Sequence, residues 1–440
     1  YKRQGYEMSK KRTPYNRKAR HPTGQTLTQE RPTGIILRPV LNTGYSNGGA
    51  SAEKQAMRGY WPIRSSPKSD VDVNLNILRN RSADMAINSP VGAAAINRYR
   101  THVVGAGLVP SPCPDYRLLG MSPEEAAEWR RHTKAEFNLW AQSVECDLYR
   151  KHNFYDMQDI AFISSIVDGD AWAAIKYRKA LGDNPYTTKI QLFEASRVCN
   201  PNTYSLIGAL NEVEVRNPKN GNRIINGVEI NTDGAVVAYW VADRVPYDPT
   251  ENRNIKWVRV EAFGRKTGAP NILQISHEER PEQYRGVPIL APAIEELKQM
   301  HRYSTAELTA AIIKSYFTLF FKTKDAGEGL PNALPEAFGE NEKVAFDQYT
   351  FELGAGTMNE LPPGYEVQTV DANRSLSTFE AFVNALIAQV GAALEIPSEV
   401  LLSRFQSSYS AARGALLQFQ AVAKKRRIWF ARDFCQPVYE

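Results

Sequence analysis

Cysteine, histidine and long apolar runs are scarce in this 440-residue chain, and each scarcity removes a class of function. The four cysteines, Cys113, Cys146, Cys199 and Cys435, are far apart and form no CxxC pair. Neither a zinc site nor a disulfide framework is expected, and the thiols read as buried. The six histidines include no HExxH and no pair at helical spacing, so no metal site is expected. No run of 18 apolar residues is present, so no membrane-spanning helix is expected. No signal-peptide pattern is read either. A Walker loop, a GxSxG elbow and a Cys–His constellation are all missing, which sets ATP hydrolysis and proteolysis aside, and no cofactor is implied. Gly105 and Gly107 begin like a dinucleotide fingerprint, but the third glycine position holds Pro110 and no helix opens there. A two-glycine turn into a strand is expected instead.

What is present is a large core. An apolar fraction of 42% with 23% charged residues is that of a globular chain, long enough for more than one domain. The net charge of +6 is uneven: residues 1–34 hold nine Lys or Arg against two Glu, and the remainder carries 45 basic and 46 acidic residues. A basic body would read as a nucleic-acid surface. Here the basicity belongs to an N-terminal arm, residues 1–50, polar and rich in Gly, Pro, Asn and Thr. It is expected to be solvated and disordered, or to order against a neighbour, a shell or nucleic acid; residues 34–41 read as one short strand.

Beyond the arm the pattern is α+β. Ser122-Pro123-Glu124-Glu125 opens a helix by N-cap, proline and early acids. Residues 160–166 continue a further helix to Asp168-Gly169-Asp170, and Trp172–Tyr177 alternates like a strand. Asp168, Asp170 and Glu194 invite an acid–base or metal reading. Turn residues flanking a strand are the expectation, with Asp170→Asn silent. From 190 to 275 short strands alternate with turns, and Asn217–Gly221 and Asp233-Gly234 are hairpin signals. A long helix is expected over 292–320. Residues 321–373, dense in Gly and Pro, form a module with strands at 349–353 and 365–370. The clearest helix carries Phe379, Phe382, Val383, Leu386, Ile387, Val390 and Leu394 on one face, begins at Ser377, and is stopped by Pro397. A turn of helix over 398–402, a polar break, and a helix over 411–423 follow.

Three stretches together resemble the portal proteins of tailed bacteriophages, the lambda family in particular. They are the Ala-Leu-Glu-Ile-Pro-x-Glu-Val-Leu segment ending at Leu401 followed by the Tyr-Ser-x-Ala-Arg-x-Ala-Leu-Leu segment from Tyr409; Leu78-Arg79-x-Arg81-Ser82 through Val103-Val104-Gly105-x-Gly107-Leu108; and Arg285-Gly286-Val287-Pro288 before an alanine-rich helix. The family's Cys-Asp and Asn-Phe pairs match Cys146-Asp147 and Asn153-Phe154, while Asp170 stands where the family has Glu. The resemblance implies an α+β portal-type fold: an α+β wing (51–290), two long stem helices (291–320 and 374–396), a small β-containing clip (321–373), a helix–loop–helix channel element (397–410), and a wing helix (411–440) leading to a crown largely absent from this chain. A first residue of Tyr and a stop at Glu440 are read as truncation.

The same resemblance implies no enzyme activity. It implies a dodecameric homo-oligomer at one capsid vertex through which double-stranded DNA is packaged and ejected. The implied partners are the terminase large subunit, a head-completion or adaptor protein, and the major capsid and scaffold proteins, with no membrane. Leu402, Ser403, Arg404, Phe405, Gln406, Ser407, Ser408 and Tyr409 are assigned to the DNA-channel loop, and Pro397 and Gly414 to its hinges. Arg404, Lys424 and Lys425 are the candidate phosphate contacts, although a run of cations points all round a helix and reads equally as a solvated face. Tyr349, Phe351 and Leu353 are assigned to clip contacts between subunits. The competing reading is a nucleic-acid-binding structural protein acting through the basic arm. Removing residues 1–34 separates the two, since ring assembly survives only under the portal reading and DNA binding vanishes only under the other.

Overall fold

The computed structural model describes residues 45, 49–51, 53–178, 185–201, 213–246, 255–315, 319–323, 365–369, 377–405 and 408–440. The strands expected at 34–41 and 349–353 lie outside them. The chain divides into two compact units, Tyr1–Arg64 and Ser65–Glu440. In the first, a 3-10 turn at Gln55–Met57 leads to a segment with exposed Tyr60, Trp61 and Ile63.

The second unit is built round one helix and one strand. Helices α1 (Leu75–Asn88), α2 (Pro90–Val103), α3 (Pro123–Gln142) and α4 (Phe154–Asp168) precede β1 (Asp170–Tyr177) and β2 (Thr188–Phe193). α3 starts as its sequence requires: Ser122 Oγ accepts from the Glu125 amide, and the Glu125 carboxylate accepts from the Ser122 amide. α4 is capped by Asn153, whose side chain accepts from the Asp156 amide at 2.8 Å, and ends at Gly169 in the left-handed conformation, φ 91°.

β1 is the middle of an antiparallel three-stranded sheet in the order β2-β1-β8, with β8 at Ile272–Ser276. Its alternation sorts residues into two cores. Ala171 and Ala173 enter a helical core with Tyr99, Phe154, Phe162 and Phe430. Trp172 and Ala174 enter a second core with Val198, Val228, Ile230 and Tyr239. Both faces are covered, which is why small alanines flank the one large ring.

The second core lies on a five-stranded antiparallel meander: β3 (Glu214–Arg216), β4 (Arg223–Ile225), β5 (Val228–Ile230), β6 (Val236–Ala242) and β7 (Trp257–Glu261). Both hairpin signals fall between neighbouring strands of this sheet. Its polar centre is Glu229, fully buried, whose carboxylate accepts from Asn217, Asn220, Asn222, Trp240 and Arg259 at 2.7–3.1 Å. Burial by itself raises this carboxyl; the Arg259 pair and the amide donors outweigh it and bring it to about 2.

The remaining elements are α5 (Ile294–Ser315), β9 (Leu319–Thr323), β10 (Tyr365–Thr369), α6 (Ser377–Ala393), α7 (Ser398–Leu402), α8 (Tyr409–Phe430), a π-turn at Ala431–Cys435, and α9 (Gln436–Tyr439). The expected helix over 292–320 is shorter. A 3-10 turn occupies Ala291–Ala293, α5 stops at Ser315, and the Leu-Phe-Phe run becomes β9, paired antiparallel with β10. At 1.5 Å per residue α5 is about 33 Å long. The strand expected after Gly107 is not formed. Gly105 and Gly107 turn the chain with φ of 58° and 104°, and the side-chain amide of Gln158 takes the place of a partner strand, bonding both the amide and the carbonyl of Leu108. Cys113 is exposed rather than buried, whereas burial pushes the Cys146 thiol up to about 12.

Asp170 is not a turn residue. It is fully buried at the start of β1, and its two oxygens accept from Arg285 Nε at 2.6 Å and Nη2 at 3.1 Å, Arg79 Nη2 at 2.7 Å and Trp172 Nε1 at 3.1 Å. Arg285 spends its other donors on the carbonyls of Ala195, Val198 and Asn226. Burial alone raises the Asp170 carboxyl; the two guanidiniums reverse that and hold it below the ordinary range. The backbones of Gly169 and Gly286 touch beside it. A Cβ on Gly169 meets the Gly286 carbonyl oxygen at 2.5 Å, and one on Gly286 meets that of Gly169 at 1.8 Å, so neither position admits a side chain.

Asp170→Asn leaves two buried guanidiniums without a counter-charge and is expected to lower stability by roughly 3–5 kcal/mol in chemical denaturation; an unchanged midpoint contradicts the network's role. Asp168, the last residue of α4, has the opposite sign. Burial, opposed by Arg79 and assisted by Glu194, raises its carboxyl from 3.8 to about 7. The folded state then holds this proton more tightly than the unfolded state, so stability is lost as pH rises between those two values and is level above. Asp168→Asn is expected to raise stability by roughly 4 kcal/mol at pH 8 and by little at pH 4.

Candidate functional site

The candidate channel element is a succession of helix ends. α6 is the least charged helix of its length here, with Glu380 as its single ionised side chain. It ends in a Schellman motif: the Ile396 amide donates to the Gly391 carbonyl at 2.8 Å, and the Glu395 amide donates to the Ala392 carbonyl at 3.3 Å, with Glu395 left-handed at φ 56°. Gly391 is required, because a Cβ there lies 2.5 Å from the Ile396 carbonyl oxygen. Pro397 then begins a new turn, and α7 buries Val400 and Leu401.

α7 ends in the same way. The Ser403 amide donates to the Val400 carbonyl at 3.3 Å and the Arg404 amide to the Glu399 carbonyl at 3.1 Å, with Ser403 left-handed at φ 54°. Neither left-handed position is glycine. α8 is capped by Ser408, whose Oγ accepts from the Ala411 amide at 3.4 Å.

Of the residues assigned to the loop, Leu402 closes α7, and Ser403, Arg404 and Phe405 follow it exposed. Gln406 and Ser407 lie outside the described residues. Ser408 is the cap, and Tyr409 is already the first residue of α8, 81% exposed. The helix expected at 411–423 therefore starts earlier, and it runs on to Phe430. Arg404 Nη1 lies 3.3 Å from Glu380 Oε1, and both side chains are more than half exposed. Such a pair contributes about 0–1 kcal/mol and exchanges readily.

Lys424 and Lys425 are exposed but are not brought to the loop. Fifteen residues of α8 separate Tyr409 from Lys424, about 22 Å along the helix axis. Lys425 borders a groove of about 750 Å³ that also presents Glu278, Glu279 and Glu395. The two arginines after them are structural. Arg426 pairs with Glu395 at 3.2 Å and stacks its guanidinium 4.7 Å from the Tyr99 ring centroid. Arg427 donates to the carbonyls of His102 and Val103, closing the C-terminus of α2. Tyr349, Phe351 and Leu353 lie outside the described residues. Among the described residues no group of His, Cys, Asp or Glu is arranged to hold a metal ion, and no helix is long and apolar enough to cross a membrane.

Gly414 sits in the interior of α8 with open space where a Cβ would be. Gly414→Ala is expected to stabilise the helix by ~1 kcal/mol and to raise the thermal midpoint slightly; a lower midpoint overturns this.

Residues 53–427 match the model of the family described as phage portal protein, lambda family. The chain is 24% identical over 411 residues to the portal protein of Escherichia phage N15, covering 89% of this chain and 73% of that one. It is 24% identical over 409 residues to portal protein B of Escherichia phage lambda, covering 88% and 72%. A probable portal protein of Halomonas phage phiHAP-1 is 22% identical over 317 residues, covering 72% of this chain and 55% of that one. Among solved structures, a chain from the neck of the native GTA particle, computed with C12 symmetry, aligns with a TM-score of 0.44 and 13% identity over 81% of each chain. The family match spans well over half of the sequence, and the chain belongs to the lambda family of phage portal proteins, structural rather than catalytic virion components that connect head to tail at the capsid vertex where DNA passes.

Proposed function

We propose that this portal protein assembles as a dodecameric ring whose axial channel carries double-stranded DNA during packaging and ejection, with residues 402–409 facing the DNA. The observation that carries the ring is the outward face of α6. Ala381, Phe382, Ala385, Ala388 and Ala392 are exposed on a helix with a single ionised side chain, and α5 beside it exposes Leu308 and Ile312. A face this poor in charge is suited to burial against a second copy of the chain.

The loop's chemistry supports the channel reading. A translocating duplex has to slide, so base readout is excluded, and contact is made to phosphate. Arg404 is the cation on a short polar tip, and its weak, exposed pair with Glu380 is one that a passing phosphate can replace. Lys424 and Lys425 serve as more distant basic positions on α8. The module at 321–373 is the docking platform for the terminase large subunit and then for an adaptor protein. The wing, residues 51–290, faces the capsid and scaffold proteins.

The purified protein is expected to form a ring with an axial hole in negative-stain imaging and native mass measurement. Arg404→Ala is expected to leave that ring intact while slowing DNA packaging several-fold and weakening its salt dependence. A compact monomer binding DNA sequence-selectively overturns the portal mechanism, and an unchanged packaging rate removes Arg404 from it.

A further inference from the structure

Two successive residues of α2 hold the turn that closes α6 and the turn that closes α7. The Tyr99 hydroxyl donates to the Leu394 carbonyl, at the Schellman turn that closes α6, and Arg98 Nη2 donates to Ser403 Oγ, at the turn that closes α7. Tyr99 is a core residue, fully buried, with its ring 5.6 Å from that of Phe419 and beneath the guanidinium of Arg426. Arg98 is different. It lies partly exposed at the rim, outside both apolar cores, and the group it grips is the left-handed residue that closes α7.

We propose that Arg98 is a positioning residue for the segment 403–405: by fixing Ser403 it sets the direction in which the chain leaves α7, and so where Arg404 and Phe405 stand. The proposal rests on the reading of that segment as part of the DNA-facing element of the channel.

The physical case is conformational. Ser403 adopts φ 54°, a region that glycine or asparagine enters at little cost and serine does not. A non-glycine residue stays there when its surroundings over-determine it. Here the backbone contributes the two Schellman hydrogen bonds, and the side chain contributes its bond to a guanidinium. The anchor does not itself give way. Ala95, Ile96, Tyr99 and Val103 of α2 are buried in the helical core, and the helix's final carbonyls are closed by Arg427. α2 thus ties the loop's base to the rigid half of the wing.

The test uses the assembled full-length protein with Arg98→Ala, Arg98→Lys, Ser403→Ala and the Arg98→Ala/Ser403→Ala pair. Hydrogen exchange is followed at residues 398–405 and, as an internal control, across α4. Arg98→Ala and Ser403→Ala are each expected to speed exchange at 398–405 about tenfold, the scale of one lost charge-assisted hydrogen bond, with α4 unchanged. The pair is expected to add nothing further, and Arg98→Lys, which keeps a donor, to recover most of the protection. Rings are expected to assemble normally in every variant while packaging by Arg98→Ala slows several-fold. Unchanged exchange at 398–405, or acceleration spread equally through α4, overturns the proposal. Faster exchange at 398–405 with packaging at the parent rate in both Arg98→Ala and Arg404→Ala leaves the anchoring intact and overturns the channel-loop reading instead.

Discussion

The buried carboxylate of Asp170 is the constraint on which the packing of the helical layer and the two sheets depends. A lone ionised group at that depth is prohibitively costly, and it is stable here because two guanidiniums and an indole N–H converge on it. Each partner arrives from a different part of the chain: Arg79 from α1, Trp172 from β1, and Arg285 from the segment that feeds α5. Arg285 also collects carbonyls from the 195–198 turn and from Asn226, between β4 and β5. One charge cluster therefore fixes the helical layer, the three-stranded sheet and the five-stranded sheet relative to each other. Apolar residues of equal volume hold layers together as well, but they do not specify an angle; directional donors do.

Glu229 repeats the device on a smaller scale. It gathers the three asparagines of the β3–β4 loop, the indole of Trp240 and the guanidinium of Arg259. The loop is ordered from within by one acceptor, and the sheet presents it as a fixed projection. Both clusters bind several distant segments to one buried carboxylate.

The break between α6 and α8, the proposed channel element, was partly legible in the sequence. The polar break between two apolar helices, its cation and its proline stop are all local features, and the family resemblance rests on their order. Hidden were the residues that hold the break. Arg98 and Tyr99 lie some 300 positions away in sequence, on a helix whose pattern shows only a core face. The cap at Ser408 was within reach of the sequence, since serine before an alanine-rich helix is an N-cap signal, but the polar run obscured it. Arg426 and Arg427 read as part of a solvated basic stretch because four cations in a row carry no label for which of them turns inward.

By itself, the sequence marked α3 to α8, the strand β1 and the hairpins of the meander, and carried the resemblance to the portal family, because periodicity, capping residues and turn chemistry act over a few positions. It also marked Asp168-Gly169-Asp170 and Arg285-Gly286 as separate unusual stretches. Only the tertiary structure decided that they are one feature: two glycine backbones in contact beside a paired buried charge. Long-range pairing of this kind leaves no periodic trace. An aspartate before a strand has the same local signature whether it faces water or two arginines, and the difference lies wholly in which distant segments the fold brings against it.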